Sequence, residues 1–371
     1  MKKKRILIIE NSMDVTGALK SIAQASLAMR DDFEFIFLLP RRSKCNYYLE
    51  THGFNAIYEL PMRELRKNVV SLLLYLPVLA VNAIRLKGIL RKERIELVHN
   101  NDLYNLLPVV ARFFGNTVPY IVHIRFLPNK FPRKLFLGWL KLHYKFALYV
   151  VCVSNYLFTL LPQHRKLRMI YDGLPFKENH SHQFRKLNCL LYLSNFIQGK
   201  GQDLAIEVFS EIAFLYPDWK LRFVGGDMGL KKNKIYKNRL MKMCRQKGIM
   251  NQVEWYEFTN DVEAEYKTAA ITLNFSDSES FSLTCLEAQF FGCPVIATKS
   301  GGPSEIINDG VTGFLVPLGD INKAVRSIEY LIINEKARSD FGIAGKKWVS
   351  TKFNTENTSF QLREVYYDSI L

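Results

Sequence analysis

The chain has 371 residues, of which 48% are hydrophobic and 23% are charged. This composition is typical of a globular protein with a large core, and the length predicts two domains. The six cysteines lie far apart, without a Cys-x-x-Cys pair or a histidine cluster at metal-ligand spacing, which argues against a zinc module and predicts buried, reduced thiols. The longest apolar stretch, 69–84, is shorter than the roughly 20 residues that cross a bilayer, and the run 6–9 is too short for the core of a signal peptide.

The net charge of +16 lies almost wholly in the first half of the chain. Residues 1–176 carry 27 lysines and arginines against 12 aspartates and glutamates, whereas the remaining residues carry 24 against 23. Such an asymmetry predicts a basic face that meets a polyanion, either anionic lipid or nucleic acid, although a simply solvated surface would have the same composition. No zinc motif, RNP-like segment or recognisable helix-turn-helix is present, so we expect no nucleic-acid partner.

Short runs rich in Ile, Val and Leu alternate with helical patterns along the chain. In the first half they predict strands over residues 5–9, 33–39, 97–99, 120–123 and 149–153. In the second half they predict strands over residues 190–193, 221–224, 271–275 and 295–298. Because strands that alternate with helices form parallel sheets covered on both faces, the sequence predicts an α/β protein with two Rossmann-like, doubly wound domains.

The polar stretch 177–186 separates the two series of strands. It follows Gly173 and Pro175 and precedes a new apolar strand, so the predicted domains are residues 1–176 and 177–350. Ligands of open α/β sheets bind beyond the carboxyl ends of the strands. We therefore expect the two domains to face each other across a cleft that holds the site.

Polar or small residues follow several predicted strands of the first half. Gly17 lies in the turn after the first strand, Asn100 follows the strand 97–99, and His123 and Arg125 end the strand 120–123. These four residues are candidate ligand contacts of the first domain. A helix-capping or core-edge role is the alternative for His123.

Two basic and apolar stretches contribute much of the positive charge. Residues 63–94 place Arg63, Arg66 and Lys67 before an apolar run and further cations after it, and residues 130–146 interleave aromatic and basic side chains. Both patterns are typical of segments that rest in a lipid interface without crossing it. Amphipathic core helices with basic outer faces are the alternative. An anionic membrane surface is thus a predicted partner.

The segment after the predicted strand 271–275 contains a pair of carboxylates. Small polar residues turn the chain there, and a helix is expected to begin near Ser282, where its N–H groups and positive dipole end favour a phosphate. Glu279 precedes this helix and Glu287 lies about one and a half turns inside it. One carboxylate is therefore placed for a sugar and the other for a ribose, unless the two are an ordinary N-terminal charge and a helix-face glutamate.

Four motifs follow one another in this region: E-x7-E from Glu279, GCPVIAT from Gly292, GGPSEII from Gly301 and DGVTGFLV from Asp309. In this order they resemble the retaining glycosyltransferases of the GT-B fold, in the family called glycosyl transferases group 1 or family 4. Residues 194–201 resemble the strand-loop segment of that family. The first half resembles the family more loosely, since the turn after its first strand contains only Gly17 where relatives often carry two glycines.

The resemblance implies a donor domain that binds a UDP- or GDP-linked sugar as substrate, without any further cofactor. Lys200 would meet the diphosphate as a point charge, while Asn195 stands where the family has an arginine. The remaining donor-binding residues implied are Phe281, Ser282, Leu283, Thr284 and, at the ribose, Glu287. Glu279 and His123 would be the catalytic residues at the transferred sugar, and Gly17, Asn100 and Arg125 would lie on the acceptor side.

The resemblance also implies a reaction class. The family is usually assigned a front-face substitution that retains the anomeric configuration and in which the leaving diphosphate accepts the acceptor's proton. No Asp-x-Asp segment occurs in the chain, so we expect no metal site and no requirement for a divalent ion.

A first domain that rests on a membrane would suit a lipid-linked glycan acceptor, as in the assembly of bacterial surface polysaccharides such as O-antigen or capsule. The expected location is the cytoplasm, at the inner face of the plasma membrane. Residues 351–371 are expected to return to the first domain.

Three other functions stay open at this stage. A GT-B sugar-nucleotide epimerase would share the donor site but transfer nothing, and a non-catalytic GT-B subunit would only bind a glycan or a partner. An NAD-dependent dehydrogenase would also have two doubly wound domains, but no G-x-G-x-x-G follows either first strand.

Overall fold

The computed structural model describes residues 3–62, 69–175, 185–259 and 261–370. The chain forms two compact units, one of Met1–Pro175 with Thr355–Leu371 and the other of Phe176–Asn354. Most of the predicted boundary stretch 177–186 lies outside the described residues, as do Arg63, Arg66 and Lys67.

A parallel sheet organises the first unit. Its strands lie in the order β3-β2-β1-β4-β5-β6-β7, so the strand order reverses between β1 and β4. Its elements in chain order are β1 (Lys4–Ile9), α1 (Gly17–Ala28), β2 (Phe33–Pro40), α2 (Cys45–Thr51), β3 (Ile57–Leu60), α3 (Val69–Lys92), β4 (Leu97–Asn100), α4 (Leu107–Phe113), β5 (Tyr120–Ile124), α5 (Arg133–Phe146), β6 (Val150–Cys152), α6 (Asn155–Leu160) and β7 (Leu167–Met169).

The central strands of this sheet are apolar on both faces. Ile6, Leu7, Ile8 and Ile9 of β1 are fully buried, and β1 pairs in parallel with β2 on one side and β4 on the other. A central parallel strand needs such a continuous apolar run because helices cover both of its faces.

The C-terminal helix α14 (Thr355–Ile370) is part of the first unit. Leu362 and Tyr366 join the core cluster formed by β1, β2 and α1. The Tyr366 ring packs edge-on against Phe33, with ring centroids 5.5 Å apart. The polypeptide thus returns from the second unit to complete the core of the first.

The two basic stretches form helices with different outer faces. On α3, Leu76, Val81 and Ile84 are about half exposed or more, at 62%, 47% and 57%, and the exposed Arg85 and Arg91 follow them. We call these five residues the α3 outer face.

Helix α5 instead turns its aromatic residues inward. Phe136 and Trp139 are buried in the first unit, while the basic residues point to solvent: Arg133, Lys134, Lys141 and Lys145. For residues 130–146 this is the arrangement of an amphipathic core helix with a basic outer face.

A second parallel sheet organises the other unit, with the strand order β10-β9-β8-β11-β12-β13. Its elements in chain order are β8 (Cys189–Leu193), α7 (Gln202–Ile212), β9 (Lys220–Val224), α8 (Lys231–Gln246), β10 (Val253–Tyr256), α9 (Val262–Thr268), β11 (Ile271–Asn274), α10 (Leu283–Phe290), β12 (Val295–Thr298), α11 (Pro303–Ile306), β13 (Gly313–Val316), α12 (Ile321–Ile333) and α13 (Glu335–Lys352). The predicted fold class, two doubly wound α/β domains, is confirmed.

None of the helices in the described ranges combines the length and the apolar character that a membrane span requires. All six cysteines are buried and free.

Candidate functional site

An ion pair marks the carboxyl edge of the sheet in the second unit. Lys200 Nζ lies 2.8 Å from Glu279 Oε1, although 79 residues separate them in the sequence. The Lys200 side chain is 34% exposed and that of Glu279 is 14% exposed. Because an ammonium group has three donors, the pair leaves Lys200 with capacity for an anionic ligand.

The backbone of Glu279 is held by the loop that follows β12. The Glu279 N–H donates to the carbonyl of Ser300 (2.9 Å), and the Gly302 N–H donates to the carbonyl of Glu279 (2.9 Å). A Cβ at Gly302 would lie only 2.0 Å from the carbonyl oxygen of Phe281, so this close approach of two backbones requires glycine. The motif from Gly301 therefore positions the catalytic candidate Glu279.

Ser282 is the N-cap of α10 and has a left-handed backbone, with φ of +93°. Non-glycine residues adopt this conformation only where the surroundings enforce it, at a cost of about 1–3 kcal/mol. Here Asn274 Nδ2 donates to Ser282 Oγ and to Thr284 Oγ1, both at 3.0 Å. The resulting turn presents the first N–H groups of α10, those of Leu283 and Thr284, beyond the end of β11.

The side chain of Phe281 has a different role from its neighbours. It is 3% exposed and packs edge-on against Phe353, with ring centroids 5.5 Å apart. This predicted donor residue thus contributes its backbone to the turn and its ring to the core.

The loop after β8 carries the other two donor-side candidates. Asn195 Oδ1 accepts a hydrogen bond from the Gly226 N–H (3.1 Å), which ties this loop to the one after β9. The buried hydroxyl of Tyr192 donates to the carbonyl of Lys200 and accepts from the Phe275 N–H (2.8 Å). The backbone of Lys200 is therefore fixed by Tyr192. Asn195, at the position where the family has an arginine, links two loops through an uncharged side chain.

Glu287 lies on α10, and Tyr266 of α9 helps to orient its carboxylate. Tyr266 Oη donates to Glu287 Oε2 over 3.2 Å. Burial, followed by the charge of Glu287, raises the pKa of Tyr266 well above its usual value, so the phenol stays a donor. Glu287 itself is half-buried.

In the first unit, Arg125 forms a buried ion pair. Arg125 Nη1 donates to both carboxylate oxygens of Asp172, at 2.5 and 2.7 Å, and Arg125 Nε donates to Asn101 Oδ1 at 2.7 Å. The two charged side chains are only 7% and 8% exposed. The fork of Arg125 is thus engaged inside the unit.

His123 belongs to a buried chain of polar groups. Its Nδ1 lies 3.3 Å from His99 Nε2 and 3.4 Å from Arg125 Nη2. His99 Nδ1 in turn lies 2.6 Å from the hydroxyl of Tyr366 on α14. Burial and the positive charge of Arg125 lower the pKa of His99 to about 3 and move the pKa of His123 well below its usual value, so both rings are neutral.

The other two acceptor-side candidates lie close to β1 and β4. Asn100 Nδ2 donates to the carbonyls of Asp102 (2.7 Å) and Asn105 (2.9 Å), which shapes the loop after β4. Gly17 is the exposed first residue of α1, whose N-cap is Thr16.

A small, solvent-open pocket lies between α3 and the carboxyl ends of β1 and β4. Its polar lining includes Asn11, Asn82, Asn105 and Tyr75, and its apolar lining includes Leu79. Asn82 Nδ2 donates to the Pro61 carbonyl (3.3 Å), and its buried Oδ1 has no partner in the part of the chain that the structure describes. The pocket therefore offers acceptor and donor groups without a charged side chain.

In those described ranges, no three His, Cys, Asp or Glu side chains lie together in an arrangement that would hold a metal ion.

Sequence comparison places this geometry in context. The model of the family glycosyl transferases group 1 matches residues 176–348, which is nearly the whole second unit. An uncharacterized glycosyltransferase of Methanocaldococcus jannaschii is 26% identical over 303 residues, covering 77% of this chain and 79% of that protein. A GDP-mannose-dependent α-(1-6)-phosphatidylinositol monomannoside mannosyltransferase of Mycolicibacterium smegmatis is 28% identical over 185 residues, which is 47% of this chain and 46% of that protein.

Among solved structures, Anabaena HepE in complex with UDP and glucose superposes with a TM-score of 0.83 at 19% identity. The superposition covers 98% of this chain and 99% of HepE, and a second HepE structure holds UDP-glucose. The chain has the GT-B fold. In this GT-B chain the family match spans the unit that contains Lys200, Glu279 and the Ser282 turn.

Sequence reasoning did not single out several residues that shape this edge of the second unit. Tyr192, Asn274 and Tyr266 orient Lys200, Ser282 and Glu287, but single buried polar residues inside apolar runs carry no local signal. The Gly225-Gly226 pair after β9 is different, because two glycines directly after a predicted strand are a recognisable sign of a close backbone approach. A Cβ at Gly225 would lie 2.1 Å from the Ser194 carbonyl oxygen.

Proposed function

We propose that the chain is a retaining, metal-independent glycosyltransferase of family 4 that moves a sugar from a UDP- or GDP-sugar to a lipid-linked glycan in bacterial surface-polysaccharide synthesis. The observation that carries this proposal is the edge of the second unit, where Lys200 pairs with Glu279 just before the start of α10. The family match over residues 176–348 and the UDP-glucose bound by HepE support it.

The donor's anionic and polar ends have separate partners in this proposal. Lys200 and the N–H groups of α10 bind the diphosphate, since a helix N-terminus and an ammonium group both favour negative charge. Glu279 accepts hydrogen bonds from the hydroxyls of the transferred sugar, and Glu287 accepts those of the ribose. Asn195 contributes by holding the loop rather than by charge.

In this reaction the main task of the protein is to stabilise the leaving diphosphate. It does not supply a nucleophile. As the bond from the anomeric carbon to the diphosphate oxygen lengthens, negative charge grows on the diphosphate beside Lys200 and the helix terminus. The acceptor hydroxyl attacks on the same face and passes its proton to the departing phosphate oxygen. No covalent enzyme intermediate forms, and the absence of an Asp-x-Asp segment supports a metal-independent reaction.

The first unit is proposed to bind the acceptor and to lie on an anionic membrane, at the inner face of the plasma membrane. The pocket beside Asn11, Asn82 and Asn105 suits an uncharged hydroxylated group, and it lies under α3 at the point where the strand order reverses. The α3 outer face presents apolar and then basic side chains, which suits a helix in the plane of a lipid interface. The name of the mycobacterial relative, a mannosyltransferase for a phosphatidylinositol mannoside, supports a lipid-linked acceptor.

A donor screen tests the transferase. Melting temperature is measured with UDP-, GDP-, ADP- and TDP-sugars for the full chain, for Lys200→Met and for the control Lys347→Met, an exposed lysine of the same unit. We expect one class of sugar nucleotide to stabilise the wild type and the control, and Lys200→Met to lose most of that shift. Stabilisation by none of them would contradict the proposal.

Product analysis separates the enzyme classes. Incubation of the stabilising donor with membrane lipid extracts is expected to release nucleoside diphosphate and a glycosylated lipid, and Glu279→Gln should abolish both. An epimerised sugar nucleotide formed without any acceptor would identify the alternative epimerase. Binding without release of nucleoside diphosphate would indicate a non-catalytic subunit.

Vesicle co-sedimentation tests the membrane surface. We expect binding to vesicles that contain phosphatidylserine, weakened by salt because charge contributes, and lost when Leu76 and Ile84 are both replaced by Glu. The matched control replaces both Phe214 and Leu215 by Glu, which changes two exposed apolar side chains of the second unit. Equal binding by both variants would reject the α3 outer face as the membrane contact.

A further inference from the structure

Hydrogen bonds link Tyr366, His99 and His123. Arg125 determines which group donates and which accepts in each of them. A guanidinium only donates hydrogen bonds, so Arg125 Nη2, at 3.4 Å from His123 Nδ1, requires an unprotonated Nδ1 on His123. The Arg125 fork is fixed in place by its buried ion pair with Asp172. The neutral His123 ring must then carry its proton on Nε2.

The same logic passes along the chain to α14. Since His123 Nδ1 accepts, His99 Nε2 at 3.3 Å must be the donor, and the neutral His99 ring has no proton left for Nδ1. His99 Nδ1 therefore accepts, and the Tyr366 hydroxyl at 2.6 Å donates to it. Each of the three groups thus has one assigned proton.

This arrangement leaves one group without a partner. His123 is 1% exposed, and its Nε2 makes no hydrogen bond within the described residues. A buried N–H group without an acceptor is costly, and an oxygen supplied by a ligand would remove that cost. His123 lies at the carboxyl end of β5, the edge at which ligands of doubly wound sheets bind.

We infer that Tyr366 and His99 are positioning residues that fix His123 as a neutral Nε2–H donor, and that this donor meets a hydroxyl oxygen of the sugar substrate. The nature of the ligand rests on the proposed function, whereas the direction of the hydrogen bonds does not. A hydroxyl suits the site better than a phosphate, because the charge of Arg125 beside His123 is already balanced by Asp172. In this state His123 holds the substrate and does not act as a general base.

Nitrogen NMR of the full chain tests the tautomers without any substrate. Long-range proton–nitrogen spectra of protein labelled with ¹⁵N-histidine distinguish the protonated ring nitrogen from the unprotonated one, and His99→Gln and His123→Gln assign the signals. We expect both rings to be neutral with the proton on Nε2, unchanged between pH 8 and pH 5.5. A proton on Nδ1 of His123, or a charged ring, would overturn the inference.

Activity with the stabilising sugar nucleotide tests the positioning role. Tyr366→Phe keeps the ring that packs on Phe33 but removes the donated hydrogen bond, so we expect kcat/KM to fall about tenfold and a second His99 tautomer to appear. Tyr367→Phe is the matched control, because Tyr367 packs on the same Phe33 but contacts neither histidine in the described structure. Equal activity of Tyr366→Phe and Tyr367→Phe would contradict the role of Tyr366.

Two substitutions of His123 test the donor itself. Gln places an N–H group near the position of Nε2, whereas Met has similar length without a donor, so His123→Gln should retain at least about tenfold more activity than His123→Met. Similar losses in both variants would argue against a donated hydrogen bond. If no sugar nucleotide binds but the NMR tautomers are found, the proposed function fails and the hydrogen-bond assignment stands.

Discussion

The two units have sheets of the same kind but build their carboxyl edges in different ways. In the second unit the edge is shaped by the backbone, through the close approach at Gly302 and the left-handed turn at Ser282. Lys200 and Glu279 stay partly exposed there. In the first unit much of the edge is formed by side chains that bind one another, as in the buried pair of Arg125 and Asp172.

This difference explains why the second unit is easy to recognise from sequence and the first is not. A backbone that passes 2.0 Å from where a Cβ would lie admits only glycine, so the residue type is dictated at that position. A buried polar network admits many combinations of side chains, provided that each donor and acceptor is satisfied. A sheet edge that is shaped by the backbone therefore produces a recognisable sequence motif, whereas a network of side chains does not.

The largest effect is expected from breaking the network of the first unit. Asp172→Asn leaves the Arg125 guanidinium buried without its counter-charge, which should lower the free energy of unfolding by about 3–5 kcal/mol. The control is Glu257→Gln, which removes the partly exposed pair with Lys237 and should cost less than about 1 kcal/mol. Denaturant unfolding measures both, and similar losses would show that the buried pair does not stabilise the first unit.

The next effect concerns the backbone-shaped edge of the second unit. Gly302→Ala forces its Cβ against the Phe281 carbonyl, and we expect a loss of about 3 kcal/mol. Gly138→Ala is the control, because Gly138 lies in α5 with nothing within 4 Å of its added Cβ, and alanine there should be neutral or stabilising. If Gly302→Ala matched Gly138→Ala in thermal unfolding, the close approach would not dictate the motif.

The pH dependence of stability is expected to differ between the two units, because buried histidines lie in the first unit. Burial lowers the pKa of His143 to about 4 and that of His99 to about 3, whereas an unfolded chain binds the proton near 6.5. Below about pH 6.5 the unfolded state therefore binds more protons, and stability is lost towards pH 4 by up to about 1.4 kcal/mol per histidine and pH unit.

Hydrogen exchange of the β5 amides at pH 7 and pH 5.5 measures how the free energy of unfolding changes with pH. His143→Gln should remove its own share of the stability loss, about 1.2 kcal/mol in total between pH 7 and pH 5.5. An unchanged slope in the variant would show that His143 titrates alike in both states. The described part of the second unit contains no histidine, so its amides should not respond to this substitution.

The smallest effect tests the strain at Ser282. Both Ser282→Ala and Ser282→Gly lose the hydrogen bond from Asn274, but only glycine relieves the positive φ. We expect the glycine variant to be more stable than the alanine variant by about 1 kcal/mol, the reverse of the usual order in helices. Thermal unfolding of the two variants checks this sign, and a more stable alanine variant would remove the argument for strain.

The strands that sequence analysis predicted are those in the middle of the sheets, and β12 was predicted with its observed bounds. The four strands that it missed are the four edges: β3, β7, β10 and β13. Edge strands are covered less completely and mix polar with apolar residues, as in the half-buried Ile57–Leu60. β3, β7 and β10 therefore lack the continuous apolar run that identifies a central parallel strand. β13 is apolar throughout but only four residues long, and sequence analysis identified it only as part of a motif.

The sequence alone determined the alternation of strands and helices, the start of a helix near Ser282 and the order of the motifs from Glu279 to Val316. Those features depend on local backbone conformation, which nearby residue types encode directly. Only the tertiary structure decided that Lys200 meets Glu279 across 79 residues and that His99 meets Tyr366 across 267. Such contacts depend on which strands become neighbours and on where the last helix packs, and no local pattern carries that information.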